Sequence, residues 1–338
     1  MDGKKILVAF GFEETSRKDV LDVIRCAGEL RNALLERGYS VEMFKVRQED
    51  FKDPQMISSA IATYNPICIF NLFEGFSDDA SKEIEFADIL ENTGIPFTGN
   101  ASYTLDVCLN KQKAKQVLRD NAIQVPKGMV VEQPSQSYAC GLEYPVFVKP
   151  CCEDASLGID DESIVSARDG LSRVIEKKLR DFPSGLLVEE FISGREYNVG
   201  LIGDSPYLVL GISVLDYGEH PGERAFLSYG AKWESSCSAF GTLLPRSAES
   251  IDAVLKSRIE SVARKAAHVL QCRGYCRVDM REREKELFVL EVNPNPDINR
   301  DSGFMKQSYA RGYTYEDIIE KILNAGLERG VYAALKRG

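Results

Sequence analysis

The stretch of sequence that decides the fold is YCRVDM at residues 275–280, taken together with LFVLEVN at residues 287–293. Both runs are typical of β-strands, and a tight turn at about residues 284–286 would pair them as a hairpin. Successive side chains of a strand point to opposite faces, so every second residue of each run shares a surface. The polar residues of the two runs are therefore expected to meet on one side of the hairpin.

Four polar residues lie on that side. Pairing of the two runs places Asp279 opposite Glu291 and Arg277 opposite Asn293, with cross-strand neighbours about 5 Å apart. Two carboxylates and an amide oxygen, without a histidine or cysteine, are hard ligands of the kind that Mg2+ prefers. An ordinary solvated sheet surface would carry the same residues, so the hairpin alone leaves both interpretations open.

Three lysines extend this pattern. Lys111 begins the run KQKAK on a predicted helix, Lys149 ends the strand YPVFVK, and Lys232 lies in YGAKW, within a long stretch at residues 216–247 that is rich in glycine and serine. A loop of that length is usually a functional lid or disordered. Each lysine taken alone is most simply a surface residue, and the motifs around the lysines give them their significance.

The segment LLVEEFISGREYNV, residues 186–199, lies between two of these lysines. It predicts a strand that ends in Glu189 and Glu190, then a turn, then a second strand that Glu196 opens. Acidic acceptors beside the apolar Ile192 suit an adenine amino group and a ribose diol, which donate hydrogen bonds. The same sequence equally suits a plain hairpin.

Composition limits the class of protein. Apolar residues make up 44% and charged residues 28% of the 338-residue chain, as in ordinary globular proteins. A net charge of −10 without a basic run argues against nucleic-acid binding, and the apolar runs are far shorter than the ~20 residues of a membrane span. Nine scattered cysteines and a start without a signal-peptide pattern predict reduced thiols and a cytoplasmic location.

The first third of the chain alternates strand and helix patterns. Strands are expected at residues 6–10, 41–46 and 67–70, with helices between them. This rhythm predicts a parallel sheet with helices on both faces. A second module opens with a helix at residues 105–121, and a third, rich in strands, begins near residue 186.

In order along the chain, Lys149-Pro150, EEFISGRE at residues 189–196, and the RVD and EVN motifs of the hairpin resemble ATP-grasp ligases, and within that superfamily D-alanine–D-alanine ligases. The resemblance runs from about residue 6 to residue 327. It implies the three-domain ATP-grasp fold of the α/β class, with an N-terminal parallel α/β domain, a central α+β lid domain and a C-terminal α+β domain that holds the catalytic and metal site. The implied boundaries are residues 1–104, 105–186 and 187–338.

The resemblance also implies an ATP site between the second and third domains. The residues that match its ATP contacts are Lys111, Lys149, Glu189, Glu190, Ile192 and Glu196. The lysines match contacts to the phosphates, the paired glutamates and Ile192 match contacts to adenine, and Glu196 matches the ribose ligand. Two Mg2+ ions, with Mn2+ as the alternative, would bind to Asp279, Glu291 and Asn293.

The catalytic residues that the resemblance implies are Arg277, Lys232 and Ser156. Arg277 would stabilise the oxyanion of a tetrahedral intermediate. Lys232 matches a residue on the loop that closes on the γ-phosphate. Ser156 belongs to the run EDASLG, residues 153–158, which matches the loop over the phosphates.

The substrate residues that the resemblance implies are Glu13, Glu14, Ser302 and Gly303. The two glutamates are the acids nearest to the donor ammonium position, with Asp19 as the alternative after a small insertion. Ser302 and Gly303 match the binding place of the acceptor carboxylate. Four departures from the family lie at this end of the site, and they include a donor acid without a single match and a phosphate loop with few glycines. The other two are PNPDIN at residues 294–299, which replaces a Pro-Gly motif, and FNLFEGFSDD at residues 70–79, which lacks a His-Gly motif. Asp297 and Arg300 are expected to reshape the acceptor pocket.

Together these features predict an ATP-dependent ligase that joins a carboxylate to an amine. It would form an amide between small amino-acid-type substrates through an acyl phosphate, releasing ADP and phosphate. The alternative is D-alanine–D-alanine ligase itself, an enzyme of cell-wall synthesis. A kinase-like enzyme and a nucleotide sensor are the other classes, and the intact set of polar residues argues against a sensor without turnover. We expect a homodimer that acts on small molecules.

Overall fold

The computed structural model describes residues 4–14, 18–77, 79–133, 141–153, 157–215, 246–247 and 251–337. Its N-terminal sheet is parallel, with the order β2–β1–β3. The strands are β1 (Lys5–Gly11), β2 (Ser40–Val46) and β3 (Cys68–Leu72). The accompanying helices are α1 (Lys18–Glu36), α2 (Pro54–Thr63) and α3 (Lys82–Thr93), with a 3-10 turn at Gln48–Lys52.

Helices cover both faces of this sheet. Residues 6–10 of β1 are fully buried, and alternate residues enter two different hydrophobic cores. One core is shared with α1, and the other is shared with α2 and α3. The structure thus confirms the arrangement that the alternating strand and helix pattern predicts.

The single helix predicted at residues 105–121 is wrong. The structure has two helices there, α4 (Ser102–Leu109) and α5 (Lys111–Asp120). They are separated at Asn110, whose backbone is extended and whose side chain accepts hydrogen bonds from the N–H groups of residues 112 and 113. Asn110 therefore caps a new helix, and Lys111 lies in its first turn.

The central sheet is antiparallel, with the order β4–β7–β5–β6. Its strands are β4 (Gly128–Val131), β5 (Val146–Pro150), β6 (Ile164–Val165) and β7 (Leu186–Glu190). A 3-10 turn at Asp161–Ser163 precedes β6, and α6 (Arg168–Asp181) packs its apolar face on the sheet.

The C-terminal sheet is also antiparallel, with the order β10–β9–β8–β11–β12. Its strands are β8 (Glu196–Ile202), β9 (Leu208–Leu215), β10 (Arg246–Ser247), β11 (Tyr275–Arg283) and β12 (Glu286–Pro294). Helix α7 (Ala253–Val269) packs on one face and α8 (Gly303–Tyr309) on the other. Helix α9 (Tyr315–Arg337) returns to the N-terminal sheet, where it packs against α1.

β11 and β12 form the hairpin that the sequence predicts. Its two-residue turn consists of Glu284 and Lys285, with φ of 51° and 69°. Arg277 lies opposite Asn293 and Asp279 lies opposite the glutamate at position 291, so the predicted register is confirmed.

No helix within the described ranges combines the length and the apolar composition that a membrane span requires. The domain boundaries at residues 104 and 186 stay predictions.

Candidate active site

A cavity of about 270 Å3 lies between the central and the C-terminal sheets. Strands β5 and β7 line one wall, strands β8, β9, β11 and β12 line the other, and α8 contributes its first turns. The structure therefore brings eight of the sixteen predicted site residues to one place. Those that line the cavity are Lys149, Glu189, Ile192, Glu196, Arg277, Asp279, Glu291 and Gly303.

The hairpin supplies a guanidinium–carboxylate pair to this cavity. Nε and one terminal nitrogen of Arg277 donate to the two carboxylate oxygens of Asp279, each at 2.8 Å. Nδ2 of Asn293 donates to the same carboxylate at 3.0 Å. Burial raises the pKa of Asp279, and attraction by Arg277 acts in the opposite direction. Because the pair is bidentate, it fixes the plane of the guanidinium.

The sheet explains why these side chains meet. β11 lies between β12 and β8, and Asp279 is opposite Asn198 while Arg281 is opposite Glu196. Alternate residues of β11 therefore share one face with alternate residues of β8. On that face Gly200 lets α8 approach closely, since a Cβ there would lie 2.4 Å from Oε1 of Gln307.

The facing wall carries a buried cluster of two lysines and one glutamate. Nζ of Lys149 lies 2.9 Å from Oε1 of Glu189, and Nζ of Lys115 lies 2.8 Å from Oε2. Burial alone would raise the pKa of Glu189, but the two ammonium groups hold it below its ordinary value. Burial lowers the pKa of Lys115 to about 8. For Lys149, burial acts to lower the pKa, but the combined attraction by Glu189, Glu291 and Glu196 outweighs it and raises the pKa, so this ammonium group stays charged.

Arg281 belongs to the site, although the sequence reasoning missed it. Its side chain is 3% exposed, lies 2.9 Å from Oε2 of Glu196 and donates to the carbonyl oxygen of Ile192 at 3.1 Å. It thereby ties the predicted ribose ligand to the predicted adenine-binding backbone. The sequence pattern could have identified Arg281, because it continues the alternation of Arg277 and Asp279 on one face of a strand.

Lys115 and Gln307 were missed as well. Lys115 follows Lys111 by one turn of α5, and residues four apart share a helix face, so its position could have been read from the sequence. Nε2 of Gln307 donates to the carbonyl oxygen of Asn198 and to Oγ of Ser213, each at 3.0 Å. Those partners are 109 and 94 residues away, and no local pattern predicts such contacts.

Two predicted nucleotide residues are not among those lining the cavity. Lys111 is buried, and its Nζ donates to the carbonyl oxygen of Glu153. Glu190 lies on the opposite face of β7 from Glu189. Its carboxylate is 3.5 Å from Arg283 and accepts a long hydrogen bond from the N–H of residue 143. The structure therefore does not bring Glu190 to the cavity beside its neighbour.

The four predicted substrate residues lie in two different segments. Glu13 and Glu14 follow β1, and Ser302 and Gly303 are at the start of α8. The carboxylate of Glu13 accepts hydrogen bonds from the N–H and the hydroxyl of Ser77, at 2.9 and 2.7 Å. Glu14 is exposed. Ser302 caps α8 by accepting from the N–H of residue 305 at 3.2 Å, and Gly303 is the first residue of that helix. Only Gly303 of these four is among the residues that line the cavity.

Arg300 and Asp297 are the residues expected to reshape the acceptor pocket, and that expectation stays a prediction. The guanidinium of Arg300 lies 2.7 Å from Glu316 and stacks over the ring of Tyr315, so it is engaged with α9. Neither Arg300 nor Asp297 is among the residues that line the cavity.

Two predicted catalytic residues, Lys232 and Ser156, lie outside the described residues, as does most of the long stretch at residues 216–247. Their roles stay predictions.

The hairpin residues fit a hard divalent cation. A carboxylate offers about four acceptor positions, and Asp279 uses three of them for Arg277 and Asn293. Glu291 lies directly opposite Asp279 and lines the cavity. No group of three or more His, Cys, Asp or Glu side chains forms a metal site within the part of the chain that the structure describes. The candidate ligands are thus two carboxylates and one amide oxygen, a set that suits Mg2+ or Mn2+.

Comparison with known proteins gives a consistent result. A family model described as "D-ala D-ala ligase C-terminus" matches residues 108–324. The D-alanine–D-alanine ligase of Carboxydothermus hydrogenoformans is 29% identical over 318 residues, which cover 90% of this chain and 93% of that protein. The uncharacterized protein y4sG of Sinorhizobium fredii is 29% identical over 262 residues, covering 77% of this chain and 75% of that protein.

A solved structure shares the fold. The D-alanine–D-alanine ligase from Bacillus anthracis, crystallised in complex with ATP, superposes with a TM-score of 0.74 and 21% sequence identity. The alignment covers 99% of this chain and 100% of that one. The predicted ATP-grasp fold of the α/β class is therefore confirmed.

Proposed function

The chain belongs to the D-alanine–D-alanine ligase family and is an ATP-dependent ligase that forms C–N bonds, and from this we propose that it joins two small amino-acid-type substrates of its own specificity. The observation that carries the proposal is the register of β11 and β12. It sets Arg277 and Asn293 within hydrogen-bonding distance of Asp279 beside the cavity. The buried pair of Lys149 and Glu189 on the facing wall supports it.

ATP would occupy the cavity between the two sheets, where an anionic triphosphate meets Lys149. The ribose would be held by Glu196, which Arg281 fixes in place. The adenine would lie beside Ile192 and Glu189. Since both oxygens of Glu189 bind lysines, we assign it a second role, which is to hold the Lys149 ammonium group in position.

The reaction has two steps. The carboxylate of the first substrate attacks the γ-phosphorus of ATP, so a bond forms between a carboxylate oxygen and phosphorus while the bond to ADP breaks. The amine of the second substrate then attacks the acyl carbon, and phosphate leaves with that oxygen. Asp279, Glu291 and Asn293 would hold Mg2+, which supplies neutralising charge to the phosphate oxygens when bound.

Arg277 has a distinct role in the second step. The tetrahedral intermediate carries an oxyanion, and a fixed guanidinium stabilises such a charge without reorganising. The bidentate pair with Asp279 provides that fixation. Lys232, on the predicted lid, would close on the γ-phosphate, and Ser156 would close over the phosphates with its loop.

D-alanine–D-alanine ligase activity is the second candidate, and the names of the relatives favour it. The loop after β12 favours a different specificity. In place of the family's Pro-Gly motif it carries Asn295, which is 9% exposed and adopts a φ of 51°. Asp297 and Asn299 follow, and they are hydrogen-bonded to each other at 2.8 Å.

We also propose that the enzyme is a cytoplasmic homodimer. The seven cysteines within the described residues are free thiols, as expected in a reducing compartment. Light scattering coupled to gel filtration would test the dimer, and a single peak at the monomer mass would contradict it.

The activity test measures ATP-dependent phosphate release with Mg2+, first with D-alanine and then with a panel of D- and L-amino acids and small amines. Each positive mixture is examined by mass spectrometry. We expect an amide product and equimolar ADP. D-Alanyl-D-alanine as the main product would favour the second candidate. A phosphorylated product without an amide would contradict both.

A further inference from the structure

Four carboxylates from three segments converge near the carboxyl ends of the parallel strands. Asp22 and Glu29 lie on α1, Glu74 follows β3, and Asp297 lies in the loop after β12. Nδ2 of Asn299 donates to Asp22 and to Asp297, and Arg25 contacts both Asp22 and Glu29. Burial raises the pKa of the Cys26 thiol, and all four charges raise it further. We call these four residues the acidic corner. Ligands of open α/β sheets bind at this edge.

The guanidinium groups near the acidic corner contact Asp22 and Glu29, and among the described residues they leave Asp297 without an ion pair. Arg25 lies 2.6 Å from Asp22 and 3.3 Å from Glu29. Arg300 lies 2.7 Å from Glu316 and stacks on an aromatic ring of α9. None of the lysines and arginines within the described ranges forms an ion pair with Asp297, which is exposed to solvent. Asp297 therefore presents a negative charge that a cationic ligand can reach.

A buried amide oxygen in the acidic corner also lacks a partner. Asn299 is 5% exposed, and its Nδ2 donates to Asp297 at 2.8 Å and to Asp22 at 2.6 Å. Because the nitrogen of this amide is bonded to two of the carboxylates, its oxygen lies in the acidic corner too. That oxygen accepts no hydrogen bond in the structure. A buried acceptor without a donor costs about 1–3 kcal/mol, which a ligand N–H group would offset.

We propose that one substrate of this ligase is a diamino acid whose side-chain ammonium group binds in the acidic corner, to Asp297 and to the side-chain oxygen of Asn299. The inference rests on the proposed function. An ammonium group has three N–H donors and no acceptor, and it matches the carboxylate of Asp297 and the amide oxygen of Asn299, which are both hydrogen-bond acceptors. The corner is joined to the reaction site by the chain itself, since Asp297 follows Asn293 by four residues.

The test is titration calorimetry on the full-length protein saturated with Mg2+ and a non-hydrolysable ATP analogue. The ligands are lysine and ornithine, each compared with norleucine and norvaline, which have chains of the same length without the second amine, in both chiral forms. We expect at least one diamino acid to bind ten- to a hundredfold more tightly than its uncharged counterpart. A charge-assisted hydrogen bond has that magnitude.

Two variants complete the test. Asp297→Asn keeps the shape of the side chain but removes its charge, and we expect it to abolish the preference for the diamino acid while analogue binding stays unchanged. Asp301→Asn is the matched control, because Asp301 is a 77% exposed acid on the same loop. We expect this variant to prefer the diamino acid over its uncharged counterpart as strongly as the unaltered protein does.

Equal binding of charged and uncharged ligands, no binding of any diamino acid, or a preference that survives in Asp297→Asn would each overturn the inference. Failure of the proposed function would look different: no ADP would form with any substrate, charged or neutral. Amide formation from neutral amino acids alone would leave the proposed function intact and contradict only the diamino acid.

Discussion

At the scale of single residues, Arg277 carries the most specific role. It is held by two hydrogen bonds to Asp279 and lines the cavity, but it is not one of the predicted ATP ligands. We expect Arg277→Ala to lower kcat by about 10²–10³ while the Kd for ATP stays within about threefold, because removal of one oxyanion donor has that effect. Turnover and nucleotide binding are measured on the same preparation.

The variant Arg277→Lys is the matched comparison. It keeps the charge but loses the bidentate geometry, so we expect a kcat between those of the unaltered enzyme and the alanine variant. Normal turnover in Arg277→Ala would remove this residue from the mechanism.

Glu189 is the residue whose loss should cost the most stability. It is the carboxylate shared by the buried ammonium groups of Lys115 and Lys149. Glu189→Gln removes the carboxylate charge that both ammonium groups contact, and breaking a buried ion pair in this way costs about 3–5 kcal/mol. Urea unfolding measures the loss in the free energy of unfolding.

A control for this variant is Glu162→Gln, which removes a partly exposed partner of Lys177. Exposed ion pairs contribute at most about 1 kcal/mol. Equal losses in the two variants would contradict the importance that we give to the buried cluster.

At the scale of elements, helix α5 presents a buried lysine whose titration should be visible. Burial lowers the pKa of Lys115 to about 8, below the 10.5 of an unperturbed lysine. Between these values the unfolded chain binds more protons at this site than the folded chain, so the site's contribution to stability rises with pH. Below pH 8 both states are protonated and the contribution is lowest.

We therefore expect the unfolding free energy of the unaltered protein, relative to Lys115→Met, to increase by about 1–2 kcal/mol between pH 7.5 and 9.5. The control is Lys113→Met, on the exposed face of the same helix. The stability of the unaltered protein relative to this variant should not increase over the same pH range. A relative stability that falls over this range would show that Lys115 is not a lysine of lowered pKa.

Many of the strands and helices could be predicted from the sequence, because the patterns that specify them are local. Period two in the RVD and EVN runs predicted the hairpin and its register, and the structure agrees. The break at Asn110 was missed because the helical pattern continues on both sides of it and only the side-chain cap separates the two helices. The alternation of side chains along a strand also predicts that Glu190 points away from Glu189. The family resemblance placed both residues at the adenine, and this difference in orientation was therefore missed.

At the scale of the whole molecule, the loop after β12 ties the C-terminal sheet to the N-terminal half. Oδ1 of Asn295 accepts from the N–H of Asn100 at 2.9 Å, and its Nδ2 donates to Glu83 at 3.0 Å. Gly99 allows this approach, because a Cβ there would lie 2.6 Å from the same oxygen. We expect Asn295→Ala to cost about 1–3 kcal/mol, since it leaves a buried N–H group without an acceptor.

Urea unfolding again gives the measurement, with Asn92→Ala on the exposed surface of α3 as the control. Most surface substitutions change stability by less than about 0.5 kcal/mol. An Asn295→Ala variant as stable as this control would show that the connection is unimportant.

The contacts at this scale are the ones that the sequence could not supply. The approach of Lys149 and Glu189 to the hairpin residues depends on how two sheets pack, and no periodicity specifies that packing. The pairing of Arg300 with Glu316 likewise joins a loop to a helix, and no local pattern predicts it. The family resemblance predicted which residues belong to the site, whereas only the packing of the two sheets shows how those residues are arranged.

The central claim is that the phosphate released carries an oxygen atom from the substrate carboxylate. Its most direct test uses the substrate pair identified by the activity panel, with both oxygens of the donor carboxylate replaced by 18O, and mass analysis of the phosphate and the amide. An acyl-phosphate route predicts one 18O atom in the phosphate for each amide bond formed. Phosphate without 18O, formed together with ADP, would mean that the phosphoryl group passes to water and would contradict the ligase mechanism.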